Sequence, residues 1–341
     1  MLKPVHKMLI IIFMAIILFI ADLVLGSVII SLKDFWEILQ TQGGETYLHK
    51  ILFNFRIPRA LTAVAAGMAL SVSGLIMQTV FRNPLAGPFV LGISSGASLG
   101  VALIIIGFQA FGWFSAFTVL SNWAIVIAAL LGSGLLLLML LIVSTRVKDI
   151  MTILILGILF SSSVSALVSI LQYFSPEGAL KSYVIWTMGN LGNVTGDQLF
   201  ILWLAIGIGI FITLFNGKRL NIMLLGEQYA QTTGVNIFQF RLLIFIATSL
   251  LAGSVTAFCG PIGFIGIAVP HIARLIFKTT NHFILVPGTL FLGAAILLLS
   301  DIVAHLPGSD RILPINSITA LLGIPIVIWI IFKNRNLSQV F

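Results

Sequence analysis

Charge is what this chain has least of. Only 8% of its 341 residues are Asp, Glu, Lys or Arg, against roughly a quarter in soluble domains, and that shortage excludes a water-soluble globule. A single cysteine, Cys259, excludes an internal disulfide and a thiolate metal site, and is expected to be a small buried apolar residue. A phosphate-cradling loop is missing too. Its nearest approach ends at Gly217 and Lys218, but Ile212 stands where the first glycine belongs and Arg219 where serine or threonine should follow. If ATP drives this protein, another polypeptide hydrolyses it. The apolar runs show no two-residue alternation, which excludes a transmembrane barrel.

What is present is apolar length. Hydrophobic residues make up 59% of the chain and the mean hydropathy is +1.17, so the expected class is an all-α polytopic membrane protein without a soluble domain. Residues 1–341 are read as one transmembrane domain. A helix needs about 20 apolar residues to cross a hydrocarbon core of roughly 30 Å, and about ten runs qualify: 8–30, 58–80, 89–107, 118–143, 150–172, 199–215, 241–258, 263–277, 284–304 and 315–332. The eighth is short and polar at its end (His271, Arg274), so it is expected to span only in part. The first imitates a signal peptide, but no A-x-A site follows, and it is read as a retained helix.

Basic residues assign the orientation. With the N-terminus inside and ten crossings, Lys3, Lys7, Arg82, Arg146, Lys148, Lys218, Arg219, Arg241, Arg274, Lys278, Lys333 and Arg335 fall inside. Lys33, Lys50, Arg56, Arg59, Lys181 and Arg311 fall outside. That bias explains the net charge of +8 without nucleic acid, and both termini are expected to be cytoplasmic.

The stretch Arg56 to Gly100 organises the chain. Pro58 is expected to open the second span, because a proline at the first helical position gives up an amide that has no partner anyway. The chain then turns at Asn83 and Pro84. Ala65, Ala69 and Ser73 lie four apart on one side of this turn, and Gly92, Gly96 and Gly100 on the other, giving each helix a shallow face for close packing. In the fifth span Gly157, Ser161, Ser165 and Ser169 repeat at the same spacing, beside Ser162 and Ser163. This strip suits either a pore wall of uncharged hydroxyls or a packing face whose serines bond back to their own helix. In the loop of about 218–240, Glu227, Ala230 and Gly234 keep an E-x-x-A-x-x-x-G spacing. Ala230 and Gly234 are expected to share a bare helical face that another protein's backbone can approach, or else to lie on a short amphipathic helix at the membrane surface.

Two other chemistries compete. GISSG at 92–96 fits the G-x-S-x-G of a serine nucleophile, with His271 as a base for Ser94, but it lies in an apolar helix and not at a strand-to-helix turn. Asp22 and Asp301 suggest an ion-coupled secondary transporter, though both fall near the outer ends of their helices, where water is expected to reach them.

RIPRALTAVAAGMALSVSGLIMQTVFRNPLAGPFVLGISSGASLG, GPIGFIGIAVPHIARLIF and ILPINSITALLGIPIVIWII together resemble the permease family of bacterial ABC importers for ferric siderophores, haem and cobalamin, over about residues 50 to 335. The resemblance implies a non-enzymatic transport subunit of the bacterial cytoplasmic membrane. It implies a second permease, with a homodimer favoured over a heterodimer, two ATP-binding cassette ATPases and an extracytoplasmic binding protein. No cofactor is implied in this chain, ATP and Mg²⁺ residing on the ATPase. Arg56 and Arg59 match the R-x-P-R entrance that receives acidic side chains of the binding protein. The family often has a third arginine after the ninth span; here the stretch reads DIVAH, with His305 in its place and Arg311 nearby. Asn83 and Leu85 match the cytoplasmic gate, the outer gate falls at Lys148 to Thr152, and Glu227, Ala230 and Gly234 match the ATPase-coupling helix. An iron chelate, ferric siderophore or haem, is the first choice of cargo on family frequency, with cobalamin next.

Overall fold

The computed structural model describes residues 3–26, 28, 30–40, 46–107, 122–147, 149–194, 196–305 and 312–333. Among these, the regular elements are all helices. In chain order they are α1 (Pro4–Val24), α2 (Leu32–Gln40), α3 (Tyr47–Val80), α4 (Ile93–Gly107), α5 (Asn122–Arg146), α6 (Ile150–Tyr173), α7 (Glu177–Thr187), α8 (Gly196–Phe215), α9 (Gly217–Met223), α10 (Glu227–Thr232), α11 (Ile237–Cys259), α12 (Ile265–Phe277), α13 (His282–Ala304) and α14 (Ile315–Lys333). Seven are long and apolar enough to cross a membrane: α1, α3, α5, α6, α8, α11 and α13. Three shorter apolar helices, α4, α12 and α14, complete the expected set.

The helix starts follow from local chemistry. Pro4 opens α1, Asp149 accepts a hydrogen bond from the Thr152 amide at the head of α6, and Asn236 and Asn281 do the same for α11 and α13. Pro58 does not open its helix. The helix begins at Tyr47 and runs straight through it, widened by a π-turn over Leu52–Arg56. A proline inside a helix lacks one amide and crowds the carbonyl four residues back; the wider turn just before it relieves both.

The core is built on α3, which is buried on almost every side. Its most extensive partner is α13, and α12 packs beside them. Glycine permits this closeness. A Cβ on Gly74 would run into the Gly266 carbonyl of α12, and one on Gly96 into the Gly132 carbonyl of α5, so both positions take backbone against backbone. The packing role expected for the glycine row of α4 is what Gly96 and Gly100 perform.

α12 has 13 residues, about 20 Å at 1.5 Å per residue, short of a roughly 30 Å hydrocarbon core. The helix expected there to be short is short. Gly266 at its start meets Leu70 and Gly74 in the middle of α3, and an irregular segment from Gly260 to Phe264 leads into it. That backbone is satisfied from inside the protein: the Cys259 carbonyl accepts from the Asn190 amide at 2.7 Å, and the Gly263 amide donates to Asn316 Oδ1 at 2.9 Å. Cys259 itself is buried.

Candidate functional site

Three places along the bundle carry polar chemistry. At the end where α3 begins and α13 finishes, the Arg59 Nε donates to Asp301 Oδ2 at 2.8 Å, with Asp301 only 2% exposed and Arg59 20%. His305 closes the group, its Nδ1 3.4 Å from Asp301 Oδ1 and 3.0 Å from the Asp301 carbonyl oxygen. Asp22 of α1 lies among Asp301, Arg59 and Arg56. Because α1 packs along α13, both aspartates are buried, which corrects the expectation that water reaches them.

Arg56 also departs from expectation. Its guanidinium points inward, donating to the carbonyls of Leu23 (2.7 Å), Val24 (3.0 Å) and Val28. Leu23 and Val24 close α1 and Val28 follows just beyond it, so the guanidinium sits at a helix C-terminus, where a cation belongs. Arg56 ties α1 to α3, and of the expected docking set it is Arg59 and His305 that keep partial exposure. Arg311 lies outside the described residues.

In the middle, Ser161, Ser165 and Ser169 of α6 face Ser94, Ser95 and Ser98 of α4 across a cavity of about 390 Å³, with Phe89, Val168, Gln172 and Tyr183 completing its lining. Ser161 and Ser169 do bond back to their own helix, at 2.8 and 3.0 Å, yet the strip also lines open space. No lining side chain carries a charge. Burial raises the pKa of Tyr183 above the usual phenol value, so it too stays neutral. Ser94 is not a nucleophile with His271. Gly92 sits at φ +76° as the cap of α4, Ser94 looks into the serine cavity, and His271 is spent on the Pro84 carbonyl at 2.8 Å.

At the other end, the turn after α3 carries Asn83 and Leu85. Asn83 Oδ1 accepts the Leu85 amide at 2.9 Å, closing a tight loop that leaves Leu85 exposed. This turn borders a hollow of about 900 Å³ lined by Arg82, Asn83, Pro84, Ile150, Met151 and the segment Leu225–Tyr229. Ile150 and Met151 belong to the segment assigned above to the outer gate; they stand instead on the side of Asn83, so that assignment is corrected. The basic flank of Arg146 and Lys148 already pointed to this side, though Lys148 itself lies outside the described residues.

Two of the three E-x-x-A-x-x-x-G residues are tied into the protein, and the third is exposed. Glu227 binds Arg241 Nη2 of α11 at 2.5 Å. Ala230 is 0% exposed, so it packs inward and offers no bare face. Gly234 is not on the helix: α10 ends at Thr232, and Gly234 follows at φ +84°, its amide donating to the Gln231 carbonyl. The residues presented outward are Leu225, Gln228, Tyr229 and the run from Gln231 to Gly234.

Sequence reasoning missed a buried polar group beneath this end. Thr79, Gln78, Asn221, Arg274 and His282 sit on or beside apolar runs, and polar residues in such runs were the available clue.

The haemin transport system permease protein HmuU of Yersinia pestis is 34% identical over 91% of this chain and 90% of its own. The vitamin B12 import system permease protein BtuC of Shigella boydii is 35% identical over the same shares, 91% and 90%. A solved metal-chelate type ABC transporter in an inward-facing conformation superposes with a TM-score of 0.82 at 29% identity, covering 97% of this chain and 100% of that one. Residues 14–333 match the FecCD transport family, and with relatives that span nearly its whole length the chain belongs to that family as an ABC importer permease.

Proposed function

We propose that this permease imports an iron chelate, a ferric siderophore or haem, across the bacterial cytoplasmic membrane, with both termini inside. An extracytoplasmic binding protein delivers the chelate, a second copy of this chain completes the pathway, and a pair of ATP-binding cassette ATPases holding ATP and Mg²⁺ drives it.

The observation that carries this reading is the placement of the polar groups. One helix pair, α3 with α13, has a partly exposed arginine and histidine at one end and the Asn83 turn near the other. Carboxylates of a docking protein suit Arg59, since charge-assisted bonds to arginine fix orientation as well as affinity. The outward residues Leu225, Gln228 and Tyr229 suit a groove on the ATPase. Between the ends, the uncharged serine wall gives weak, distributed contacts, which let a large chelate pass without being held.

A cobalamin cargo is the second reading, favoured by the 35% identity to a vitamin B12 permease beside 34% to a haemin permease. Membership of an ABC importer family takes the place of the ion-coupled carrier. Liposomes holding the permease with its ATPase and binding protein would be offered haem, a radiolabelled ferric hydroxamate and cobalamin in parallel. ATP-dependent accumulation of haem or the iron chelate is expected. Accumulation of cobalamin alone would overturn the cargo assignment, and accumulation on a proton gradient without ATPase would overturn the mechanism.

A further inference from the structure

α10 is tied to the rest of the protein through an ion pair and through α9. One tie is the Glu227–Arg241 ion pair, which leads to α11. The other starts from α9, which packs on α10, α3 and α13 together. Asn221 of α9 sits under the first residue of α13: its Oδ1 lies 2.9 Å from the His282 amide and 2.7 Å from His282 Nδ1. His282 Nε2 is 2.8 Å from Thr79 Oγ1, in the last turn of α3.

The protons in this chain can be assigned. The Asn221 Nδ2 donates to Asn281 Oδ1 at 3.1 Å, and the His282 amide donates to Asn221 Oδ1, which fixes the amide orientation. The Asn221 oxygen therefore accepts from Nδ1–H of a neutral His282. Nε2 is left as an acceptor for the Thr79 hydroxyl, whose one proton is shared between it and the Leu75 carbonyl, 2.9 Å away in the preceding turn. The Thr79 hydroxyl thereby joins His282 to the last turn of α3, and the chain runs from α9 through α13 to α3.

Two residues beyond Thr79 the helix gives way to the Asn83 turn, and that turn hangs on the same few residues. The Asn83 amide donates to the Gln78 carbonyl at 3.1 Å; the Gln78 side chain bonds Arg274 and the Ile267 carbonyl, both of α12. His271 of α12 holds the Pro84 carbonyl from the other side.

We propose that Asn221, His282 and Thr79 are positioning residues that carry a displacement of α10 to the Asn83 turn. When the ATPase pulls on the outward face of α10, α9 moves with it, and the Asn221–His282–Thr79 chain obliges the foot of α13 and the last turn of α3 to follow. The ion pair leads instead to α11, which meets the foot of α3 by packing, with Phe245 stacked on Phe81. The inference rests on the ATPase contact proposed above, and the test keeps the two apart.

Thr79→Val keeps the shape of the buried side chain and removes the donor; Thr79→Ser keeps the donor. Asn221→Ala, at a half-buried site on α9, breaks the chain from the other side without disturbing a helix core. In the reconstituted complex, chelate imported per ATP hydrolysed should fall by about fivefold or more in Thr79→Val and Asn221→Ala, within the range expected for residues along a coupling route. Thr79→Ser should stay near wild type, at equal membrane content of the complex. An unchanged ratio in both variants, or an equal fall in Thr79→Ser, would overturn the proposal.

A second measurement needs no cargo. Adding the nucleotide-loaded ATPase to wild-type permease should alter amide exchange at both α10 and residues 83–86; in Asn221→Ala the change should stop at α10. Changes at 83–86 that persist in Asn221→Ala overturn the coupling route. No change at α10 even in wild type overturns the ATPase contact itself.

Discussion

The two ends of the α3–α13 pair solve the same problem with different chemistry. Both must fix one helix to the other at a place where a partner is expected to push or pull. At the start of α3 the fixing is ionic: Arg59 on Asp301, with Asp22 and His305 close by and Arg56 holding the α1 carbonyls. At its finish the fixing is a chain of neutral groups, Thr79, His282 and Asn221. The difference matters because a charged pair can be competed for by another charge, whereas a directed chain of neutral hydrogen bonds can only be bent or broken. The first arrangement suits a surface that exchanges partners, and the second a joint that transmits movement.

The largest expected effect tests the ionic end. Asp301→Ala would leave Arg59 without its carboxylate at a site only 2% exposed on the aspartate side, and removing one partner of such a buried pair costs about 3–5 kcal/mol. The unfolding midpoint of the purified permease should fall accordingly, and membrane content with it. Asp22→Asn makes the contrast: it removes one of two adjacent carboxyls and keeps the side-chain shape, so its effect on the midpoint should be small or favourable. If both variants behave alike, the ionic end is held by packing alone.

Much of this division could be read from the residues. Ten apolar runs became seven long and three short helices because continuous hydropathy and helix length are both set locally. The shortness of α12 followed from its brief apolar run. The E-x-x-A-x-x-x-G spacing did not show that Ala230 packs inward, since spacing alone says nothing about which face is covered. Ala230 turned inward because α10 is only six residues long and lies on α9 and α11. Arg56 looked like a docking residue because the carbonyls it caps belong to α1, some thirty positions earlier. The Thr79–His282–Asn221 chain was invisible for the same reason: its members are 203 and 61 positions apart.

A middle-sized effect tests the looped end. Gly234 holds φ +84° with open space where a Cβ would go, so a substitution meets backbone strain and no clash. Gly234→Val should cost about 1–2 kcal/mol, and Gly234→Asn clearly less, because asparagine tolerates the left-handed region. A uniform loss for both, or none for either, would mean that the turn relaxes and that the loop is not held as tightly as the joint behind it. Uptake falling further than stability in Gly234→Trp would instead locate a partner's surface at this glycine.

The smallest effect compares carboxylates across the two ends. Asp149 stands at the head of α6, beside the hollow that Ile150 and Met151 help to line, and accepts from both the hydroxyl and the amide of Thr152, at 2.7 and 2.8 Å. Those bonds, the side-chain one first, hold its pKa below the ordinary carboxylate range. A depressed pKa means that the folded state favours the ionised form. The stabilisation is therefore complete at neutral pH and fades as the pH drops through the folded-state value. Asp149 is fully exposed, so water already satisfies much of what the cap offers, and Asp149→Ala should lower the unfolding midpoint only slightly at pH 7. The gap between variant and wild type should close on acidification below the carboxylate range. A gap that stays constant down to acid pH would show that the side chain acts by shape and not by charge. Asp149 would then contribute nothing through its ionisation, in contrast with Asp301.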